Sequence, residues 1–262
     1  MLSKRHTEIM RMLADEGTLT ISELASRLGV SLETVRRDVR PLTDNGSVLR
    51  IHGAVGLAGQ VGEAPFQRRM RENAGSKRRI AREMARFIQD GDSVMLDTGT
   101  TTSFVARELL GNRRLTVVTN SSDIARTLAT VNGNKVYMAG GELRSDSGAA
   151  FGVSAIEFIS KFSVTHSIIS AGAIDAASGV MDHDLEEAEF ARMMLTRGER
   201  SYVVTDHTKF GRRGLVLVAG FEAIGHLLTD EPADAEIVAA IEAHDVRLIV
   251  AEADTAAVQD AR

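Results

Sequence analysis

The sequence predicts an α/β chain in two parts: a small N-terminal unit of three short helices with a two-stranded β wing, and a larger domain on a mostly parallel sheet. Apolar residues recur at helical spacing in the first part. Short β-rich runs alternate with helical patterns from residue 93 onward. The charge divides likewise, because residues 1–90 hold 16 basic and 11 acidic side chains, whereas residues 91–262 hold 15 and 25.

Length and composition narrow the class of protein. A chain of 262 residues with 44% hydrophobic residues can bury the cores of a small and a medium domain. No apolar run approaches the roughly 18 residues of a membrane span, and the N-terminus lacks the apolar core of a signal peptide. The chain has no cysteine, which excludes disulfides and thiolate metal sites. These features predict a cytoplasmic protein without a membrane partner, and no motif predicts a metal site or a cofactor.

Helix start and stop signals define the N-terminal unit. The first helix covers residues 4–16. Thr20, with Glu23 three residues later, forms a capping box that begins a second helix, and Gly29 ends it. Ser31 then caps a third helix. This spacing, with a tight turn before the third helix, is typical of a helix-turn-helix, whose second helix enters the DNA major groove.

The third helix is predicted to have one apolar and one basic face. The apolar stripe consists of Leu32, Val35, Val39 and Leu42. The opposite face carries Glu33, Arg36, Arg37 and Arg40. Arginine binds guanine O6 and N7 bidentately, so this face is predicted to meet phosphates and base edges. The alternative is a solvated face on which Glu33 and Arg37 form an i,i+4 ion pair.

Pro41 disagrees with a continuous third helix. It removes the hydrogen bond to the Arg37 carbonyl, so the helix is expected to kink or end near Arg40.

After Gly46, a short β-prone run predicts the two-stranded wing, with Arg50 and His52 near the DNA backbone.

Residues 5–53 resemble the winged helix-turn-helix of DeoR-type transcriptional regulators. The resemblance is carried by Ser31-x-x-Thr34-Val35-Arg36-Arg37-Asp38-Val39 and Arg50-x-His52-Gly53, with Pro41 and Ala54 as departures. It implies double-stranded operator DNA as the partner. The candidate DNA contacts are Thr20, Ser31, Thr34, Arg36, Arg37, Arg40, Arg50 and His52.

A Gly-rich and then charged segment separates the two parts. We predict a DNA-binding domain over residues 1–56, a linker over 57–75, and an effector domain over 76–262 that begins with a helix capped by Ser76. In the effector domain, six β-rich runs predict strands near residues 93–97, 115–119, 135–139, 166–170, 201–205 and 247–251.

The ends of these strands hold the candidate ligand-binding residues, since ligands bind at the carboxyl ends of parallel strands. The run D-T-G-T-T-T-S starts at Asp97. There Gly99 permits a close backbone approach, and the threonines at 100–102 add hydroxyls to the free N–H groups of a helix start, which favours an anion site. A plain capped turn is the alternative. Asn120, Asp206 and Lys209 follow other strands.

Residues 76–230 also resemble the sensor domain of the DeoR-type regulators, which is similar in fold to ribose-phosphate isomerase. The resemblance implies a phosphorylated sugar or related metabolite as effector. The candidate effector contacts are Asp97, Gly99, Thr100, Thr101, Thr102, Asn120, Asp206 and Lys209.

A sugar-phosphate isomerase is the alternative function that this fold invites. Such an enzyme needs paired carboxylates and a lysine, but the matching stretch keeps only Asp175 and the following residues lack a lysine. The sequence therefore predicts a regulator, most simply a repressor of a carbohydrate-metabolism operon, and not an enzyme. A homo-oligomer is expected, because one winged module specifies only a short DNA site.

Overall fold

A computed structural model describes residues 4–16, 18–51, 54–57 and 66–252 of the chain. The chain divides into two compact units, Met1–Pro65 and Phe66–Arg262, and each is described by itself. The division falls inside the predicted linker. Across the described ranges, no helix combines the length and the apolar character needed to cross a membrane.

The first unit is a helix-turn-helix with a three-stranded antiparallel sheet. Its elements are α1 (Lys4–Glu16), β1 (Thr18–Thr20), α2 (Ile21–Leu28), α3 (Leu32–Asp44), β2 (Val48–Ile51) and β3 (Ala54–Leu57). The sheet order is β1-β3-β2, so the predicted two-stranded wing gains β1 as a third strand. Residues from all three helices and all three strands form one buried core.

The predicted helix boundaries of α2 and the start of α3 are confirmed. The Thr20 hydroxyl accepts the Glu23 N–H at 3.1 Å, and the Glu23 carboxylate accepts the Thr20 N–H at 2.7 Å. Gly29 ends α2 in the left-handed conformation, with φ 62°. The Ser31 hydroxyl caps α3 by accepting the Thr34 N–H at 3.2 Å. Four local signals therefore fix the turn that aims α3.

The expected end of α3 near Arg40 and the expected burial of Leu32 are corrected, while a kink at Pro41 stays a prediction. The helix does not end near Arg40, because it continues through Pro41 to Asp44. Proline has a helix-compatible φ, and the fully buried Val39 and Leu42 hold both sides of Pro41 on the core. Leu32 does not join the apolar stripe, since it is 46% exposed in the first turn of the helix.

The second unit contains seven helices and ten strands among its described residues. The helices are α4 (Phe66–Arg69), α5 (Ala74–Ala85), α6 (Thr100–Glu108), α7 (Ser122–Leu128), α8 (Val153–Ile159), α9 (Leu185–Leu195) and α10 (Ala235–Glu242). The strands are β4 (Ser93–Leu96), β5 (Thr116–Thr119), β6 (Lys135–Met138), β7 (Val164–Ser170), β8 (Ala173–Asp175), β9 (Gly179–Asp182), β10 (Gly198–Val204), β11 (Val216–Ala219), β12 (His226–Thr229) and β13 (Arg247–Val250).

Seven of these strands form one parallel sheet in the order β13-β12-β10-β7-β4-β5-β6, and β11-β9-β8 form a small antiparallel sheet. The six predicted strands are confirmed as β4, β5, β6, β7, β10 and β13, while β12 and the small sheet were not predicted. Buried apolar clusters lie on two sides of the large sheet. Because β10, β7, β4 and β5 are neighbours and parallel, their carboxyl ends share one edge.

The segment predicted as the end of the linker is helical. Phe66–Arg69 forms α4, and α5 begins at Ala74, so Ser76 lies inside the first turn of α5 and does not cap it. The residue before α5 is Asn73, whose φ of 51° is a left-handed conformation that asparagine tolerates better than most residues.

Candidate functional site

The predicted arginines of the first unit line one groove. Arg36, Arg37 and Arg40 are exposed along α3, and Arg50 on β2 joins them. The groove has a volume of about 630 Å³, and its lining is Glu33, Arg36, Arg37, Arg40, Thr43, Asp44 and Arg50. The helix and the wing strand therefore present one positively charged surface, as binding along a DNA backbone requires.

Ion pairing leaves most of this charge available. Glu33 lies 3.5 Å from the Arg36 guanidinium, so the acid pairs at i,i+3 and not with Arg37 as the alternative reading supposed. In the described part of the chain, the side chains of Arg37 and Arg40 make neither a hydrogen bond nor an ion pair. Unpaired arginines on an exposed helix face are suited to bind phosphates and guanine edges.

The predicted hydroxyl contacts lie at helix starts and already have partners. Thr20 uses its hydroxyl in the capping box with Glu23. The hydroxyls of Ser31 and Thr34 lie 2.8 Å apart at the start of α3, beside the exposed arginines. His52 lies outside the described residues, so its predicted role stays a prediction.

A partly buried ion pair positions α3. Asp38, on the inner face of α3, accepts a hydrogen bond from Arg5 at the start of α1. That bond, against the cost of burial, holds the pKa of Asp38 below its usual value. The pair fixes how the arginine-bearing helix lies on α1, and sequence reasoning missed it because 33 residues separate the two partners.

In the second unit, the strand ends bring several predicted residues into contact. Asp97, after β4, accepts the Ser170 N–H at 2.8 Å and the Ser170 hydroxyl at 3.0 Å, which joins the ends of β4 and β7. Thr98 donates to the Asn120 amide oxygen at 2.9 Å, which joins β4 to β5. Asp97 and Asn120 therefore belong to one polar cluster.

Asp97 is a buried carboxyl whose second oxygen has no partner among the described residues. Burial raises the pKa of Asp97 to about 6, although the hydrogen bonds of Ser170, the nearby Thr102 hydroxyl and the charge of Arg69 oppose the rise. A buried oxygen without a protein partner can accept a hydrogen bond from a sugar hydroxyl, or donate one when the carboxyl is protonated.

The loop from Gly99 to Thr102 forms the N-terminus of α6. A Cβ on Gly99 would lie 2.0 Å from the Ser170 hydroxyl oxygen, so only glycine fits here. The Thr102 hydroxyl donates to the backbone carbonyls of Asp97 and Gly99, at 3.1 and 3.0 Å. Thr100 and Thr101 have no such bond within the described chain. Their hydroxyls and the first N–H groups of α6 remain for a ligand.

The turn after β10 carries the last two predicted effector residues. Val204 lies beside Ser170 in the sheet register, so Asp206 follows close to the β7 end. Asp206 caps the 3₁₀ turn His207–Lys209 by accepting the Thr208 N–H. Lys209 is the last residue of that turn and is half-buried.

The start of α5 contacts this turn, which sequence reasoning did not foresee. The Asn73 amide donates to Asp206 at 3.2 Å. Lys77 is buried, and its ammonium donates to the carbonyls of Arg69 and Glu72 at 2.5 and 2.9 Å. These residues were assigned to the linker and to a solvated helix, so no sequence signal pointed to them.

Asp230, after the unpredicted strand β12, completes this edge of the sheet. It accepts hydrogen bonds from the His207 backbone at 2.8 Å and from the Arg79 guanidinium at 3.2 Å. Burial alone would lower the pKa of His207, but the hydrogen bond and charges of Asp230 and Glu231 raise it. His207, Asp230 and Glu231 are spaced closely enough for a metal ion, yet the positive charge of Arg79 opposes a cation there.

Comparisons with known proteins match both units to domains of the same family of proteins. Residues 5–61 match the DeoR-like helix-turn-helix domain, and residues 72–231 match the DeoR C terminal sensor domain. The HTH-type transcriptional repressor CsqR of Escherichia coli (strain K12) is 32% identical over 95% of this chain and 96% of that protein. The glycerol-3-phosphate regulon repressor of the same organism is 30% identical over 94% of this chain and 98% of that protein.

Among solved structures, ribose 5-phosphate isomerase a from Methanocaldococcus jannaschii aligns with a TM-score of 0.40 and 14% identity, over 53% of this chain and 55% of that chain.

Proposed function

We propose that this chain, which belongs to the DeoR family of DNA-binding transcriptional regulators, represses a carbohydrate-metabolism operon. We also propose that it responds to a phosphorylated sugar. The chain is a regulator and not an enzyme, since relatives matched over nearly their whole length are named transcriptional repressors. The isomerase alternative is accordingly not favoured.

The observation that carries the DNA-binding part is the arginine-lined groove of α3 and β2. We assign it the operator duplex, with α3 in the major groove and Arg50 on the backbone. Arg37 and Arg40 are the side chains best placed to reach bases or phosphates, because both are exposed. Ser31 and Thr34 at the helix start would add hydrogen bonds. Thr20 remains a candidate DNA contact, and His52 remains assigned to the DNA backbone.

The effector part rests on the polar cluster at the strand ends of the second unit. A phosphate would accept hydrogen bonds from the N–H groups of Gly99 to Thr102 and from the hydroxyls of Thr100 and Thr101, with Lys209 supplying positive charge. Asp97, Asn120 and Asp206 would bind sugar hydroxyls. The near-complete burial of Thr100, Thr101 and Asp206 means that this edge must open to admit a ligand.

Arg69 and Lys77 extend the effector proposal. The charge of Arg69 acts on Asp97, and Lys77 donates hydrogen bonds to the last residue of α4 and to Glu72. We assign both to the positive surroundings of the phosphate. Because α4 and α5 follow the linker, a ligand here would act on the segment that leads to the DNA-binding unit.

Regulation requires that the effector prefer one arrangement of the DNA-binding units over another, since affinity alone shifts no equilibrium. We propose a homo-oligomer in which two DNA-binding units occupy half-sites roughly 10–10.5 bp apart or a multiple of that spacing. Effector binding would change how the linker holds these two units.

A thermal-shift screen tests the effector class. The purified chain is melted with a panel of sugar phosphates, glycerol 3-phosphate, the matching unphosphorylated sugars and inorganic phosphate. A ligand that binds only the folded state at a hundredfold excess over Kd should stabilise it by about 2.7 kcal/mol. Stabilisation by a phosphorylated sugar but not its unphosphorylated form supports the proposal, and stabilisation by none of the phosphorylated compounds contradicts it.

A further inference from the structure

We propose that Glu33 and Arg36 together read one C·G base pair of the operator, which makes Glu33 a determinant of sequence specificity. The inference rests on the proposed DNA-binding face and adds to it a role for an acidic residue.

Glu33 lies in the groove that is proposed to face the DNA. Its side chain is 83% exposed in the first turn of α3, and it lines the same groove as the four arginines. The N-terminal residues of a recognition helix are those that reach base edges. A carboxylate in a DNA-facing groove is repelled by phosphates, so it weakens binding to every sequence unless it accepts a hydrogen bond from a base.

The chemistry of base edges selects one partner for such a carboxylate. It accepts hydrogen bonds and cannot donate them, so it needs an exocyclic amine in the major groove. Cytosine N4 and adenine N6 are the available donors, but adenine places the N7 acceptor beside its amine, where it repels a carboxylate. Cytosine is therefore the base that Glu33 favours.

Arg36 supplies the complementary half of the same base pair. Its guanidinium lies 3.5 Å from the Glu33 carboxylate, and both side chains are solvent-exposed. The pair thus presents an acceptor and several donors side by side. The major-groove edge of a C·G pair presents the reverse pattern, the N4 donor of cytosine next to the O6 and N7 acceptors of guanine.

The test uses the full-length chain and duplexes selected from a randomised DNA library. Affinities are measured for the selected site and for versions with each other base pair at every position. The wild-type protein should prefer C·G at one position of each half-site, roughly fivefold to 150-fold, the range of a good base contact. Glu33→Ala should weaken the preference at that position and at no other, because Arg36 still contacts guanine. Glu33→Gln should shift it toward adenine, because glutamine pairs with adenine N6 and N7.

Asp44→Ala is the matched control. Asp44 is the second carboxylate of the groove, but it ends α3, about 16 Å along the helix from Glu33 at 1.5 Å per residue. Removing the Asp44 charge should strengthen binding to all duplexes alike, and only the Glu33 changes should alter base preference. Unchanged base preferences in Glu33→Ala and Glu33→Gln would overturn the inference, while a wild-type protein that selects no sequence would overturn the DNA-reading function itself.

Discussion

Replacement of Asp97 by asparagine should remove a pH dependence of stability that this carboxyl creates. Burial raises the pKa of Asp97 from 3.8 to about 6, so the folded state holds the proton more tightly than the unfolded chain does. The resulting stabilisation is fully present below the unfolded pKa and is lost as pH rises through the folded one. A shift of roughly two units corresponds to about 3 kcal/mol in total, of which about half is lost between about pH 5 and pH 7.5.

Tyrosine fluorescence during urea unfolding measures this effect in the second unit alone. The chain has no tryptophan and two tyrosines, Tyr137 and Tyr202, and both lie in that unit. The free energy of unfolding is compared between the wild-type protein and Asp97→Asn at a series of pH values. The asparagine can still accept both Ser170 hydrogen bonds, so the difference between the two proteins isolates the titration of residue 97.

Asp175→Asn provides a control of opposite sign. Hydrogen bonds from Ser178 lower the pKa of Asp175, so its stabilisation is present above the unfolded pKa and is lost as pH falls. A free-energy difference between wild type and Asp97→Asn that stays constant from about pH 4 to pH 8 would refute the reasoning, because an ionised Asp97 would then cost nothing on folding.

Three further expectations follow. Arg37→Ala should weaken operator binding by about 1–3 kcal/mol if Arg37 reads a base, whereas a pure phosphate contact would lower affinity uniformly and reduce the salt slope by about one; unchanged affinity in a folded variant would count against this face. Gly99→Ala should lower the unfolding temperature, because its Cβ would lie 2.0 Å from the Ser170 hydroxyl oxygen, while Gly75→Ala, with open space around it, should not. Light scattering should find an oligomer, and a strict monomer both free and on DNA would exclude paired half-sites.

Local chemistry explains which features the sequence could predict. The capping box at Thr20, the glycine stop at Gly29 and the Ser31 cap each depend on residues within four positions of one another. Each β-rich run is likewise visible in its own few residues, so the sequence predicted six strands of the parallel sheet. Asp97 and Asn120 are polar residues that directly follow two of those strands. Because parallel strands end at one edge of the sheet, the sequence predicted that these two residues lie close together.

Long-range contacts explain what the sequence could not predict. The Arg5–Asp38 pair spans 33 positions and the Asn73–Asp206 bond spans 133. Neither has a local pattern. Strand β12 has only two apolar residues, the leucines between His226 and Thr229, which is too short a run to predict a strand. It forms a strand through its pairing with β10 and β13. Leu32 was placed in the core by its spacing, but it is 46% exposed, although Val35 in the same turn is fully buried.

The central claim is that a phosphorylated sugar at the strand ends of the second unit controls DNA binding by the first. Fluorescence anisotropy with an operator duplex selected by the protein, titrated with and without the sugar phosphate found in the thermal-shift screen, tests it most directly. A coupling of about 1–3 kcal/mol would change operator affinity about 5–150-fold. The Lys209→Ala, Thr101→Val double variant should bind the operator as the wild-type protein does and lose that response. A double variant that responds like the wild-type protein would place the phosphate site elsewhere and contradict the account.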